Sequence, residues 1–177
     1  MENLTIEKKP IMLKYGAILG LLTVFVSVLS YVINGAENLE RPFWEKALGY
    51  LVIIGVITMG IKKFKELNNG NLKIGDAIKT GVGIALIGGL IVGVYIFIFF
   101  NYIEPGFIDR IMEMTQEKMI EQNPDMDEDQ MEMALSMSKK FMSPLAMMFF
   151  SVIGNLIMGL IISLVAGLIM KHEEQYI

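Results

Sequence analysis

The sequence predicts an all-α polytopic membrane protein, with four transmembrane helices and an extramembrane helical hairpin between helices three and four. Three observations predict it. Hydrophobic residues make up 54% of the 177; adding glycine and removing tyrosine raises this to roughly 60%, against ~45–50% for globular proteins on that set. Charged residues fall to 19%, below the ~25% average. The apolar residues also gather into four long stretches almost free of charge. Together these exclude a soluble globular domain, a disordered chain, a collagen and a disulfide scaffold.

The first stretch runs from Tyr15 to Ala36. That supplies the ~20 residues a helix needs to cross a ~30 Å hydrocarbon core. It exceeds the ~7–15 residues of a signal-peptide core, and Asn34-Gly35-Ala36 makes a poor cleavage site, so a retained helix is expected. Tyr15 and Tyr31 lie roughly 24 Å apart along such a helix, which suits two interfacial belts. The second apolar run, Ala47 to Ile61, is short. Lys46 and Lys62 can snorkel, and Phe43, Trp44 and Tyr50 suit an interface, so a span over 43–64 is predicted. The third span covers 80–103 and ends in an aromatic run from Tyr95 to Tyr102. The fourth uncharged stretch runs from Phe141 to Met170. Pro144 belongs in a first helical turn, which leaves 146–170 for the membrane. Residues 1–177 are thus read as a single integral membrane domain.

Segment 104–140 carries ten of the 19 acidic residues. Ile108, Ile111, Met112, Met119 and Ile120 suit one helical face. Asn123-Pro124 stops that helix, since proline cannot continue one. A second helix is expected to begin near Asp125 to Asp127, whose acids suit a first turn, and to run into the fourth span. Four spans put both termini on one side. Lys8, Lys9, Lys14, Lys62, Lys63, Lys65, Lys73, Lys79 and Lys171 crowd the short segments of that side. Arg41, Lys46, Arg110, Lys118, Lys139 and Lys140 are spread more thinly on the other. The positive-inside rule then makes both termini cytoplasmic.

Cysteine is absent, and His172 is the one histidine. Disulfides, thiolate metal sites and cysteine nucleophiles are excluded. A net charge of −4 excludes a general nucleic-acid binder. No ionisable residue falls near a membrane midplane, where it would mark a functional site. The polar groups at depth are Thr23, Ser27, Ser30, Thr58, Ser151, Asn155 and Ser163. Asn155, with Ser151 and Ser163, is read as an interhelical polar contact worth ~0.5–2 kcal/mol; a polar conduit is the sharper alternative. Gly16 with Gly20, and Gly89 with Gly93, place small residues on one helix face and permit close backbone approach. Packing within the monomer is the plainer reading, and contact between copies the alternative.

Lys62, Lys63 and Lys65 suit anionic lipid headgroups at ~1 kcal/mol per lysine, though the positive-inside signal alone explains them. Asp125-Met-Asp-Glu-Asp129 opens like a calcium loop, but Gln130 stands where glycine is needed and Ser136 where glutamate closes the loop. Met112 with Met114, and Met131 with Met133, suggest Cu(I), but residues two apart on a helix do not share a face. No metal and no cofactor are expected.

Certain motifs also carry a resemblance. They are Leu13-Lys-Tyr-Gly-Ala-Ile-Leu-Gly20, Gly60-Ile-Lys-Lys-Phe-Lys65, Gly75-Asp-Ala-Ile-Lys-Thr-Gly81, and the acidic helix between Tyr102-Ile-Glu-Pro105 and Ser143-Pro144-Leu145. In that order they resemble the domain-of-unknown-function family 4199, over nearly the whole chain. Lys65 stands where relatives are expected to carry arginine. The resemblance implies four spans and a bacterial cell (inner) membrane, and it implies no activity. The reading is of an integral membrane protein, not an enzyme, that binds a lipid or envelope-protein partner or itself. A small oligomeric transporter or channel is the alternative.

Overall fold

Helix formation follows the apolar stretches, with boundaries set by local chemistry. The computed structural model describes residues 7–35, 43–123 and 126–172. Helix α1 spans Lys8–Asn34. Pro10 falls in its first turn, where an N–H would have no helical partner anyway. The helix ends at Gly35, whose φ of 74° suits glycine, and the Gly35 N–H donates to the Tyr31 carbonyl at 3.0 Å. Ala36, the expected end of this span, lies outside the described residues, as do Pro124 and Asp125 of the expected break after α4. Helix α2 spans Phe43–Leu67 and α3 spans Ile74–Ile98. Asn69 (φ 53°) and Gly70 (φ 84°) turn the chain between them, as an Asn-Gly pair should. The third helix starts at Ile74 instead of Thr80, because a helix need not stop where apolar character does.

After Ile98 the chain makes a π-helical turn, Phe99–Ile103, in which the Glu104 N–H reaches back to the Phe99 carbonyl at 2.8 Å. Two shorter helices follow, α4 (Phe107–Gln122) and α5 (Glu128–Phe141), and neither has a buried residue. The last is α6, Pro144–Met170. The sequence suggested that α5 would continue into the fourth span. Instead the chain breaks at Met142–Ser143. Ser143 precedes proline, whose ring disfavours helical backbone in the residue before it. Ser143 is accordingly extended (ψ 145°), and its hydroxyl accepts the Ala146 N–H at 3.4 Å as an N-cap.

The protein is therefore all-helical, with six α-helices among the described residues. Four are long and apolar enough to cross a membrane: α1, α2, α3 with its π-turn, and α6. This is a multi-pass membrane protein. Helix α3 is the centre, packed on α1 and α6. Gly16 and Gly20 of α1 lie on Ile87 and Ile91 of α3, while Gly89 and Gly93 of α3 meet Asn155 and Met148 of α6. These four glycines sit at contacts within one chain.

The packing is uneven along the bundle. At one end Leu19, Ile57, Ile61 and Ile84 are almost fully buried. Lys8 bonds Asp76 at 2.6 Å, Lys65 donates to the Met170 carbonyl at 2.8 Å, and Leu72 pairs with His172 through two backbone bonds. At the other end burial is sparser in α2 and α6. Helix α6 has no buried residue before Gly159, and α2 has none between Glu45 and Val56.

Candidate functional site

At the sparsely buried end a cavity of about 620 Å³ lies among α1, α3, α4 and α6, with the first turn of α2 at its side. A smaller cavity of about 280 Å³ adjoins it. Thr23, Ser27 and Glu45 line both. The larger volume lies within the ~300–1,000 Å³ range of small-molecule sites.

One wall is polar. Thr23, Ser27, Ser30 and Asn34 are spaced by four, three and four residues, which places them on one face of α1. All four line the larger cavity. Glu45, only 8% exposed, accepts a hydrogen bond from the Ser30 hydroxyl. The Asn34 amide donates to the Ser30 carbonyl at 2.8 Å and to its hydroxyl at 3.0 Å. The Thr23 hydroxyl donates to the Leu19 carbonyl at 2.8 Å. This satisfies buried groups in pairs, as a low-dielectric setting demands.

The facing wall is aromatic and apolar. The π-turn brings Phe99 and Phe100 to the cavity, and such turns often occur at functional sites. Tyr31 meets the Phe99 ring edge-on at 5.1 Å, and Phe107 stands 6.0 Å from Phe99. Phe107 and Ile111 bring the start of α4 over the cavity. A polar clasp holds α4 there. The Tyr31 hydroxyl donates to Glu104 at 2.7 Å, and Arg110 donates to Glu104 at 3.0 Å. The Arg110 guanidinium also lies over the Phe107 ring at 5.7 Å. The hydrogen bond from Tyr31, and then that from Arg110, hold the Glu104 carboxyl below the usual glutamate range.

The residues singled out in the sequence fall in several places. Ser151 lines the larger cavity and Asn155 the smaller one. The Asn155 amide donates to the Ser151 carbonyl at 2.9 Å, so this bond runs along α6 and not between helices. Ser163 likewise donates to the Gly159 carbonyl of its own helix, buried against Gly81 of α3. Lys62 is exposed and Lys63 pairs with Glu66 at 3.2 Å. Lys65 is engaged by α6 instead, where its cation suits a helix C-terminus. Among the described residues no group of three or more His, Cys, Asp or Glu is placed to hold a metal.

Sequence reasoning missed Glu45, Asn34 and the Tyr31–Glu104–Arg110 clasp. The common face of Thr23, Ser27, Ser30 and Asn34 was a readable signal. The pairing of that face with Glu45 was not, since it depends on how α1 and α2 sit together. The family model described as Protein of unknown function (DUF4199) matches residues 14–172. No curated protein and no solved structure matches the chain.

Proposed function

This chain belongs to the DUF4199 family, whose description assigns no activity, and we propose that it is a non-catalytic membrane protein that binds an amphipathic ligand in the cavity among α1, α3, α4 and α6. The observation that carries this reading is the cavity itself. It combines a drug-sized volume with one polar and one aromatic wall, the make-up of a site that takes a ligand with both characters. The lipid bilayer supplies such molecules at high concentration.

The protein sits in the bacterial inner membrane with both termini and the lysine-rich 62–79 loop in the cytoplasm. The lysine distribution supports this orientation. The α4–α5 hairpin lies outside the membrane. Its acidic composition and lack of buried residues support that placement. The cavity then opens toward the extracytoplasmic side. Exposed Lys62 and Lys63 favour anionic headgroups at the opposite surface.

The test is native mass spectrometry of the full-length protein released from mild detergent, beside a Ser151→Trp variant that fills the cavity. The wild type is expected to retain amphiphile mass that the folded variant loses. Equal retention by both would overturn the reading. A conduit reading draws on the same polar face of α1. The packing of Leu19, Ile57, Ile61 and Ile84 across the other end argues against it.

A further inference from the structure

Resting on the cavity reading above, we infer that the ligand is a membrane lipid, one of whose acyl chains lies in a side opening between α2 and α6. The other sides of the bundle are taken. Leu19, Ile57, Ile61 and Ile84 fill one end. At the other end Phe107 and Ile111 bring α4 over the cavity, and Glu104 holds it there through Tyr31 and Arg110. Helix α3 packs along both α1 and α6, so closely that Gly20 meets Ile91 and Gly93 meets Met148. Between α2 and α6 burial is sparse: α2 has no buried residue between Glu45 and Val56, and α6 has none before Gly159.

The smaller cavity occupies that side. Gly49, Tyr50 and Ile53 of α2 line it together with Asn155 and Met158 of α6. It adjoins the larger cavity at Thr23 and Ser27, which line both. Tyr50 is 58% exposed, so the smaller cavity reaches the outside of the bundle. Gly49 leaves it room, since a Cβ there would meet nothing within 4 Å. Counted along the helices, Gly49 to Ile53 lie roughly 9–15 Å from the start of α2, and Asn155 to Met158 roughly 16–21 Å from the start of α6. Half of a hydrocarbon core is about 15 Å, and both helices are membrane spans. What faces this opening is therefore acyl chain, not headgroup or water. Adjoining cavities thus offer a polar wall to a headgroup and a lateral exit to the chain attached to it. A lipid can use both without leaving its leaflet.

The test compares two lipids of one headgroup, dioleoyl- and dihexanoyl-phosphatidylglycerol. Each is added to delipidated full-length protein, and retained lipid is read by native mass spectrometry. Gly49→Phe fills the opening from a position with free space around it, so helicity and elution volume should stay unchanged. It should lower dioleoyl retention about tenfold, the scale of overpacking an occupied site, and leave dihexanoyl retention as it was. Gly55→Phe puts the same ring into open space on the same helix, at a residue that lines neither cavity, and should match the wild type. Equal losses in the two variants, or no loss in either, would overturn the inference. If Ser151→Trp abolishes retention and Gly49→Phe does not, the cavity reading stands and the side opening holds no chain. If Ser151→Trp and Gly49→Phe both retain lipid as the wild type does, both readings fail.

Discussion

Replacing Gly20 by alanine tests how closely α1 approaches α3. A Cβ built at Gly20 would stand 2.6 Å from Ile91 Cβ and 2.9 Å from its Cγ2. Carbon contacts are comfortable at ~3.5–4.0 Å, so the shortfall is roughly 1 Å. Ile91 cannot yield by rotating, because its Cβ is fixed to the backbone. The helices must move apart instead. Overpacking of this kind costs ~1–3 kcal/mol, while alanine recovers ~1 kcal/mol of helix propensity. The expected net effect is a loss of up to ~2 kcal/mol. Gly55→Ala is the control. Nothing lies within 4 Å of that position, so only the propensity gain of ~0.5–1 kcal/mol remains. The two variants should therefore move in opposite directions. The assay is unfolding in mixed micelles by titration with a denaturing detergent, followed by helical circular dichroism. Gly16 meets Ile87 in the same way, at 2.6 Å. One displacement of α1 relieves both clashes, so Gly16→Ala with Gly20→Ala should cost less than the sum. If Gly20→Ala gains as much as Gly55→Ala, the helices are not in contact there.

Three further outcomes follow from other parts of the molecule. Glu104 has a lowered pKa in the folded state, so its contribution is fully present above the ordinary glutamate value of about 4.3 and is lost as pH falls through the lower folded value. Hydrogen exchange of residues 107–122 should stay constant from pH 7 to about 5 and rise only in stronger acid, whereas Glu104→Gln should raise it throughout. Ile84 is fully buried at the closed end, and Ile84→Ala should cost ~2–5 kcal/mol in the same unfolding assay; a loss below ~1 kcal/mol would refute tight packing there. The chain has no cysteine, so Met133→Cys provides one thiol, which a membrane-impermeant maleimide should label on intact spheroplasts; labelling only after lysis would reverse the orientation.

The four spans were legible because burial in lipid demands long runs without charge, and such runs need no partner to be recognised. The break before Pro144 was half legible. Pro144 marks a first helical turn, but the end of α5 follows only when the restriction that proline places on Ser143 is added. Lys65 shows what remained hidden. In the sequence it belongs to a cluster facing lipid headgroups, yet it reaches the last carbonyl of α6. Nothing local says that residue 170 comes to lie beside residue 65. Asn155 was expected to bond across helices because an unpaired amide in lipid is costly. Its own helix met part of that need through the Ser151 carbonyl.

The cavity itself follows from where the chain puts small and large side chains. In α3, Gly81, Gly83, Gly88, Gly89 and Gly93 come first, while Tyr95 and Phe97 occupy its end and Phe99 and Phe100 the π-turn that follows. In α6 the order is reversed, with Met147, Met148, Phe149 and Phe150 first and Gly159, Ser163, Ala166 and Gly167 last. The two helices run in opposite directions, so Gly159 meets Ala85 and Gly167 meets Ala77, while Gly89 and Gly93 take the larger Asn155 and Met148. Close approach runs along much of the contact, since a Cβ at Gly159 would run into Ala85 Cβ and one at Gly93 would stand 3.4 Å from the Met148 carbonyl oxygen. Beyond Gly93 the side chains are large, and Tyr95, Phe99 and Phe100 line the cavity with Met147 and Phe150 of α6. Ser27, Ser30, Asn34 and Glu45 line the cavity there. Ser30 and Glu45 can stay polar although buried because the hydroxyl of one donates to the carboxylate of the other.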